Sequence, residues 1–588
     1  MSKSPEKKKG VIYVLLRLWK YLVPVWPLLL VCVIMLICSN LLDLAVPFLS
    51  GKIIDAIGEN IGAVDFKEVF RLLGFMAGCV IVSSAMSYLL SLGLIRLGQE
   101  VSYALRKDIF ERLSKLPVSF FDRHPVGDII SRVCYDVDTI NTTFSTDLMQ
   151  VCASFITVAG SLCMLIFLSP LLSVIIVAAL TVSIPFTNWQ IRRIHPLFKK
   201  RSAKLGEQNG VAEESITAMN TVAAFRVEEP VIARYEEKNI EAIEAYNEAE
   251  AKSRIMGPTV NFINNMALSA GSILGAILCI NGKMSLGGVS SFVLYSRKYA
   301  GPIREIANII SDLQTSVAAA QRVFSLMDEL PEAPDCDEAL GYPDGIYGEV
   351  KAEGVTFAYE PGTDILKDFN MDVPAGSVAA IVGTTGAGKT TIVNLLMRFY
   401  EAEKGKISIR DTDIRHVFKN DLRRSFAMVL QDAWLFSGSI YDNIAYGNHN
   451  ATMEDVVAAA KAAHIHRFIL SLPDGYQTQI GDDSSNISKG QKQLITIARA
   501  WLTETHMLIL DEATSNVDTD TEREITIAMR KLMQGKTCFV IAHRLSTIQN
   551  ADIIMVLDKG KIAEKGTHSE LMRAKGLYYN LYAAQFRN

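Results

Sequence analysis

The sequence predicts two domains of different class on one chain: an α-helical domain of six membrane spans, then an α/β domain built around a phosphate-binding glycine loop. Three observations carry the prediction. Long uncharged apolar runs recur up to about residue 310, whereas beyond 345 the composition is that of an ordinary soluble α/β protein. Six of these runs approach the roughly 20 residues that a helix needs to cross a bilayer. In the second half, an apolar strand, a glycine-rich turn and a helix start follow one another in the stretch "AAIVGTTGAGKTTIVNLL". The 588 residues exceed one domain, and the net charge of −4 argues against nucleic acid as a partner. Nine cysteines show no paired spacing, and six of them (Cys32, Cys38, Cys79, Cys152, Cys163 and Cys279) sit in apolar runs. They read as small buried hydrophobes in a reducing compartment.

The six spans fall near 24–48, 70–95, 145–168, 171–188, 260–281 and 286–307. Buried helices of a soluble domain are the alternative, which six such runs in one half-chain disfavour. The connections are asymmetric. "SP" (169–170) and "NGKM" (281–284) are short, whereas 96–144 and 189–259 are long, polar and helical in pattern. The long connections carry Arg106, Lys107, Arg112 and Lys115, then Arg192, Arg193, Lys199, Lys200, Arg201 and Lys204. By the positive-inside rule these segments, the Lys-rich N-terminus and the soluble half are cytoplasmic, which makes a multi-pass protein of the cell membrane. The start carries no cleavable signal pattern.

The sixth run holds Arg297, Lys298, Arg304 and Glu305 in "YSRKYAGPIRE". Arg297 and Arg304 are seven apart, hence on one helix face, with Pro302 placed to kink the helix. A charged face turns toward a bundle interior or a watery cavity, so both arginines are candidate substrate-cavity residues. A structural ion pair or a snorkelling side chain is the plainer alternative. Residues 329–347 are rich in Pro, Asp, Glu and Gly without hydrophobic period. They read as a linker between a membrane domain, 1–328, and a soluble domain, 348–588.

In the soluble half, Gly383, Gly386 and Gly388 let backbone N–H groups close around phosphate oxygens. Lys389 suits the outer phosphates and the Thr390 hydroxyl suits Mg²⁺. "HMLILDEATS" is a second apolar strand of the buried parallel kind, ending in two acids. Asp511 suits the metal's water shell, and Glu512 suits polarising an attacking water. "TCFVIAHR" is a third such strand, with His543 at its end placed for the terminal phosphate; alone, such a histidine is more often structural.

From "FDRHPVGDIISR" to the C-terminus, the chain resembles a half-size ATP-binding cassette (ABC) exporter, whose motifs it carries in order. The resemblance implies a six-span membrane domain of exporter type followed by an α/β P-loop ATPase domain, with ATP and Mg²⁺ as cofactors. It extends the nucleotide contacts over the loop residues Thr384, Thr385, Ala387 and Thr391. Tyr359 in "VTFAYE" matches the aromatic that stacks on adenine. Gln431 in "MVLQD" matches the Q-loop, which touches metal and attacking water. "ISKGQ" (487–491) matches the signature motif, "SNVD" (515–518) the D-loop, and His543 the switch histidine. "FFDRHPVGD" and "LGEQNGVAEES" resemble the two coupling-helix regions.

In this family two cassettes face head to tail, so Ser488, Gly490 and Gln491 are expected to read a nucleotide held by a second half-transporter subunit. Two departures stand out. Ile487 and Lys489 replace the first and third residues of the usual Leu-Ser-Gly-Gly-Gln, and "TQIGDDS" (478–484) lacks the usual acid and arginine. A lysine in the first turn opposes the helix dipole, so it is not there for helix stability. These features favour a heterodimer, this chain being the half with the intact catalytic acid, over a homodimer. The expected activity is ATP-driven export of a hydrophobic or amphipathic drug, lipid or peptide by alternating access; an ATP-gated, channel-like regulator is the alternative.

Overall fold

The computed structural model describes residues 11–58, 64–298, 300–481, 487–512, 519–542 and 548–586. Packing divides the chain into a helical unit, Glu6–Ser114 with Val126–Glu329, and an α/β unit, Lys115–Pro125 with Leu330–Asn588. A short segment from the first long connection therefore packs in the α/β unit.

The helical unit opens with α1 (Val11–Leu22), α2 (Trp26–Gly58) and α3 (Phe66–Leu113). Asp65 starts α3 by accepting from the amides of Lys67 and Glu68. Lys115–Pro125 supplies α4 (Val118–Arg123), after which the chain returns as α5 (Val126–Ser131), α6 (Val137–Thr142) and α7 (Leu148–Leu168). Two π-helical turns, Arg132–Asp136 and Thr143–Asp147, join these three into one rod. The first turn aims Asp136 inward, where the Arg322 guanidinium donates to it at 2.9 and 2.5 Å.

Ser169 caps α8 (Pro170–Thr217), which carries Pro170 at its first position, where a missing N–H costs nothing. Then follow α9 (Met219–Phe225), α10 (Glu228–Ile280), α11 (Leu286–Lys298) and α12 (Ala300–Asp328). Five helices among the described residues are long and apolar enough to cross a membrane: Leu16–Ile57, Phe66–Leu113, Val126–Leu168, Pro170–Thr217 and Glu228–Ile280. The sixth expected span falls on α11 and α12, either side of residue 299, which lies outside the described residues.

At 48 residues α8 is about 72 Å long, more than twice a bilayer's apolar thickness. Its polar end pairs with α10 through ions: Lys204 lies 3.0 Å from Glu241, Lys238 of α10 lies 3.5 Å from Glu207, and Lys200 lies 3.2 Å from Glu248. The long polar connections are helical, as their pattern predicts.

Polar contacts also tie α11 to α2. Pro47 has no N–H, so the Asp43 carbonyl four residues back has no helical donor. Lys298 donates to that carbonyl, Tyr295 to the carbonyl of Leu44, and Ser291 to that of Pro47 at 2.9 Å. At the far end Asp55 accepts from the Gly287 amide (2.6 Å) and the Ser285 hydroxyl (2.8 Å), capping α11 from the neighbouring helix. Gly51 and Gly287 meet there so closely that a Cβ on Gly287 would overlap the Gly51 carbonyl.

The α/β unit holds two main sheets, beside a short antiparallel pair of β7 (Gly438–Ser439) and β8 (Gln479–Ile480). One is antiparallel, in the order β2-β1-β4-β5, from β1 (Val350–Ala358), β2 (Asp364–Val373), β4 (Lys404–Ile409) and β5 (Thr412–Asp413). The other runs β12-β11-β3-β10-β9-β6. Its parallel members are β3 (Val378–Gly383), β6 (Phe426–Val429), β9 (Met507–Glu512), β10 (Thr537–Ala542) and β11 (Ile553–Asp558), with β12 (Lys561–Gly566) antiparallel at the edge. Strands buried on both faces need continuous apolar runs, and Ala379–Ile381 and Met507–Leu510 are fully buried. A core between the sheets includes Val355, Leu366, Ile381 and Ile509. A second core packs the parallel sheet against helices through Val540, Leu508, Ile495 and Ala528.

The acidic linker is not a free tether. Residues 330–346 lie along the α/β unit, held by Glu332 on Arg423 (3.0 Å to Nη1), Asp335 on the Lys419 amide (3.2 Å) and Leu340 on the His416 carbonyl (2.7 Å). Its acids match basic side chains, which is why it lacks hydrophobic period and is still ordered.

Candidate nucleotide site

Strand β3 ends at Gly383 and α13 (Lys389–Leu396) begins six residues on, so Thr384–Gly388 form the turn between them. Gly386 (φ 81°) and Gly388 (φ 103°) lie in the left-handed region that side chains avoid. At Gly388 a Cβ would also come within 3.0 Å of Leu366. The turn is closed by the Ala387 amide donating to the Thr384 carbonyl at 3.1 Å.

Lys389 is buried at the first turn of α13, and its ammonium donates to the carbonyls of Gly383 (2.7 Å) and Thr384 (3.1 Å). Burial lowers its pKa, and the negative charge of Asp511 works against that shift. Thr390 and Thr391 follow in the same turn.

Strands β3, β10, β9 and β6 run parallel, so their C-terminal ends share one edge of the sheet. This edge gathers Gly383, Asp511 and, two residues past β6, the exposed Gln431. Asp511 and Glu512 are the last residues of β9, in register with Ile541 and Ala542. The Glu512 side chain, His543 and residues 515–518 lie outside the described residues.

Tyr359 follows β1 and is 41% exposed. Its hydroxyl donates to Thr391 (3.2 Å) and accepts from Asn394 (3.0 Å), both on α13. The Phe357 ring stands at 86° to it, with centroids 4.9 Å apart.

Ser488, Gly490 and Gln491 form the start of a 13-residue helix, Lys489–Trp501. The Ser488 hydroxyl accepts from the Gln491 amide at 3.2 Å, and the Gln491 side chain accepts from the Ser488 amide at 2.9 Å. This is a complete capping box, with Ile487 buried beneath it and Lys489 exposed.

Two further residues, Arg499 and Asn443, carry no sequence motif. From the signature helix, Arg499 donates to the carbonyls of Asn443 (2.8 Å) and Trp434 (3.2 Å). Buried Asn443 in turn holds both backbone groups of Phe436 at 2.8 Å. Together they tie the signature helix to the segment that follows Gln431. The only local signal was the capping pattern Ser439–Asp442 beside Asn443.

The two arginines of the sixth run do not form a described pair. Arg297 is exposed on α11, whereas the Arg304 side chain lies outside the described residues.

A glycine turn with a buried lysine at the head of a parallel sheet, and an acid on a nearby strand end, define a P-loop nucleotide-binding domain. Joined to a bundle of membrane-spanning helices, it defines an ATPase coupled to transport. Residues 29–302 match the ABC transporter transmembrane region and residues 366–515 the ABC transporter domain. The chain is 38% identical to the uncharacterized ABC transporter ATP-binding protein YfiC of Bacillus subtilis, over all of this chain and 96% of that one. It is 40% identical to a fatty acid ABC transporter ATP-binding/permease protein of Mycobacterium bovis, over 89% of this chain and 82% of that one. A bacterial Atm1-family ABC exporter solved with ATP bound is similar at a TM-score of 0.77 and 29% identity, over 95% of this chain and 98% of that one. The chain belongs to the ABC transporter family, and it is a multi-pass membrane exporter driven by ATP.

Proposed function

We propose that the exported substrate is a lipid-like amphiphile with an acidic headgroup, and that the working unit is a heterodimer. The observation that carries the substrate reading is the 40% identity to the mycobacterial fatty acid transporter, which extends over 521 residues and so through the membrane helices. The exposed Arg297 on α11 supports it, because a cation among spans belongs at a polar cavity. ATPase activity of the reconstituted protein should rise with fatty acids or anionic lipids and not with peptides or cationic drugs. Stimulation by peptides alone would reject the substrate reading.

In the nucleotide site, Lys389 and the amides of the 383–391 turn hold the phosphates, and Tyr359 stacks on the base. Glu512 orients or activates the attacking water, assisted by Gln431 and His543. The donors Thr390, Asp511 and Gln431 are all hard oxygens, a set that suits Mg²⁺, which takes few protein ligands and completes its shell with phosphate and water. Bound there, the ion would neutralise phosphate charge. Glu512→Gln keeps the size and removes the charge, so ATP binding should persist while turnover falls by about 100-fold or more. Near-normal turnover would reject the assignment. The Lys-rich connections support a cytoplasmic site.

The heterodimer reading rests on Lys489, an exposed cation where the family usually has glycine. Its own Lys389, Asp511, Glu512 and His543 would work with a partner's signature. This chain expressed alone should turn over ATP poorly; a stable homodimer with vigorous hydrolysis at two equivalent sites would overturn the reading.

A further inference from the structure

The ring of Tyr359 is fixed from two sides. Its hydroxyl is bonded to α13, and beyond the end of that helix the Tyr400 ring stands against it at 88°, with centroids 5.0 Å apart. Phe357 completes a trio of steeply inclined rings, at 71° to Tyr400. Tyr400 is itself held, because its hydroxyl donates to the Asp122 carboxylate at 2.7 Å. Asp122 lies on α4, the six-residue helix that the chain inserts between α3 and α5.

That helix is anchored. Phe120 is buried and stacks on His124 with centroids 4.3 Å apart, His124 Nδ1 lies 2.9 Å from the Phe120 carbonyl, and the Lys115 carbonyl accepts from the Glu332 amide at 2.8 Å. Asp122 is thus the fixed end of a short relay: carboxylate, Tyr400 hydroxyl, Tyr400 ring, Tyr359 ring. Burial and the Asp122 bond both raise the Tyr400 pKa, so the phenol keeps the proton that it donates.

We propose that Asp122 is a positioning residue for the nucleotide base: through Tyr400 it sets the plane of Tyr359. The inference rests on the base-stacking reading of Tyr359. It makes nucleotide affinity depend on α4, since a shift of that helix reaches the base platform through one hydrogen bond and one ring contact. Hydrogen bonds to charged groups are among the stronger ones, though this pair is exposed, so the loss should be modest.

The test compares wild-type, Asp122→Ala, Asp122→Asn, Tyr400→Phe and Tyr359→Ala full-length protein in detergent, each assembled with the second subunit that the wild-type chain needs for turnover. ATP kinetics are read beside inhibition by inorganic tripolyphosphate, which has no base. Asp122→Ala and Tyr400→Phe should raise the KM for ATP by roughly 3- to 10-fold with kcat within about twofold. The Ki of tripolyphosphate should stay at the wild-type value. Asp122→Asn keeps an acceptor oxygen and should fall between. If Tyr359→Ala raises KM while Tyr400→Phe and Asp122→Ala leave it unchanged, the relay is wrong and the stacking reading survives. If Tyr359→Ala leaves KM unchanged, both fall. Parallel rises in KM and Ki would mean a distorted phosphate loop and would also overturn the proposal.

Discussion

The linker strap gives a prediction whose size follows from its geometry. Glu332 accepts from both terminal nitrogens of Arg423, one at 3.0 Å, and lies 3.8 Å from the Lys419 ammonium. Its side chain is 29% exposed, between the fully buried case, where losing one partner costs about 3–5 kcal/mol, and the surface case of about 0–1 kcal/mol. An intermediate loss of about 1–2 kcal/mol is expected for Glu332→Ala. The linker amides of Leu340, Tyr342 and Ile346 are bonded to the His416 carbonyl, the Asp421 carboxylate and the Ser425 hydroxyl. If the strap opens locally as one piece, their hydrogen exchange should accelerate by about 5- to 30-fold, since about 1.4 kcal/mol is a factor of ten.

Acidity should erase the difference. Burial alone would raise the Glu332 pKa, but the Arg423 hydrogen bond and the charges of Arg423, Lys419 and Arg398 outweigh it, and the net shift is downward. A carboxylate with a depressed folded pKa stabilises fully above its unfolded value, near 4.3, and progressively less as pH falls through the folded value. Wild type and variant should therefore keep their full difference above about pH 5, and the difference should shrink as pH falls below about 4.3 and vanish only once pH is below the folded value. Exchange rates that agree within twofold at pH 7 would refute the strap, and a difference that persists undiminished at low pH would refute the ionic account of it.

Three further outcomes follow. Gly287→Ala places a methyl against the Gly51 carbonyl and should destabilise the helical unit by about 1–3 kcal/mol, read as a lower Tm in detergent; an unchanged Tm contradicts the close approach. Lys298→Met leaves the Asp43 carbonyl without its donor and should cost about 1–3 kcal/mol, with Lys298→Arg restoring most of it in the same thermal assay. Ser488→Ala removes half of the capping box and should loosen the first turn of the signature helix by about 1 kcal/mol, seen as faster amide exchange at Gln491.

What was legible in the sequence was what local spacing dictates. The turn between β3 and α13 admits few residue types at its positive-φ positions, so Gly386, Gly388 and Lys389 announce it within a few residues. The capping box at Ser488 is equally local, four residues that bond one another. Arg499 and Asn443 were not legible because their bond spans 56 positions, and neither residue type is unusual where it stands. Residues 329–347 read as a linker because they lack an apolar period, and the sequence says nothing of what they pack against. Their order comes from ions matched to Arg423 and Lys419 some 90 residues away, which no window on 329–347 contains.

The sixth run shows how far a charge pattern can be taken. A cation in an apolar run must find a partner, which the sequence establishes, but it does not say that two adjacent cations answer differently. Gly287, Ser291, Tyr295 and Lys298 are spaced by four, four and three, so they share the face of α11 that meets α2. Lys298 belongs to that face because Pro47 leaves the Asp43 carbonyl there without a helical donor, and its charge answers a bare carbonyl 255 positions earlier. Arg297 is one residue, hence about 100°, away from it and cannot share the contact. Lys298 therefore has a structural role, through a backbone carbonyl and not through the ion pair offered as the plainer alternative for the arginines, and of the adjacent pair only Arg297 is left for the cavity. In a test of acidic-headgroup recognition, loss of Arg297 should change substrate stimulation, whereas loss of Lys298 should change stability first.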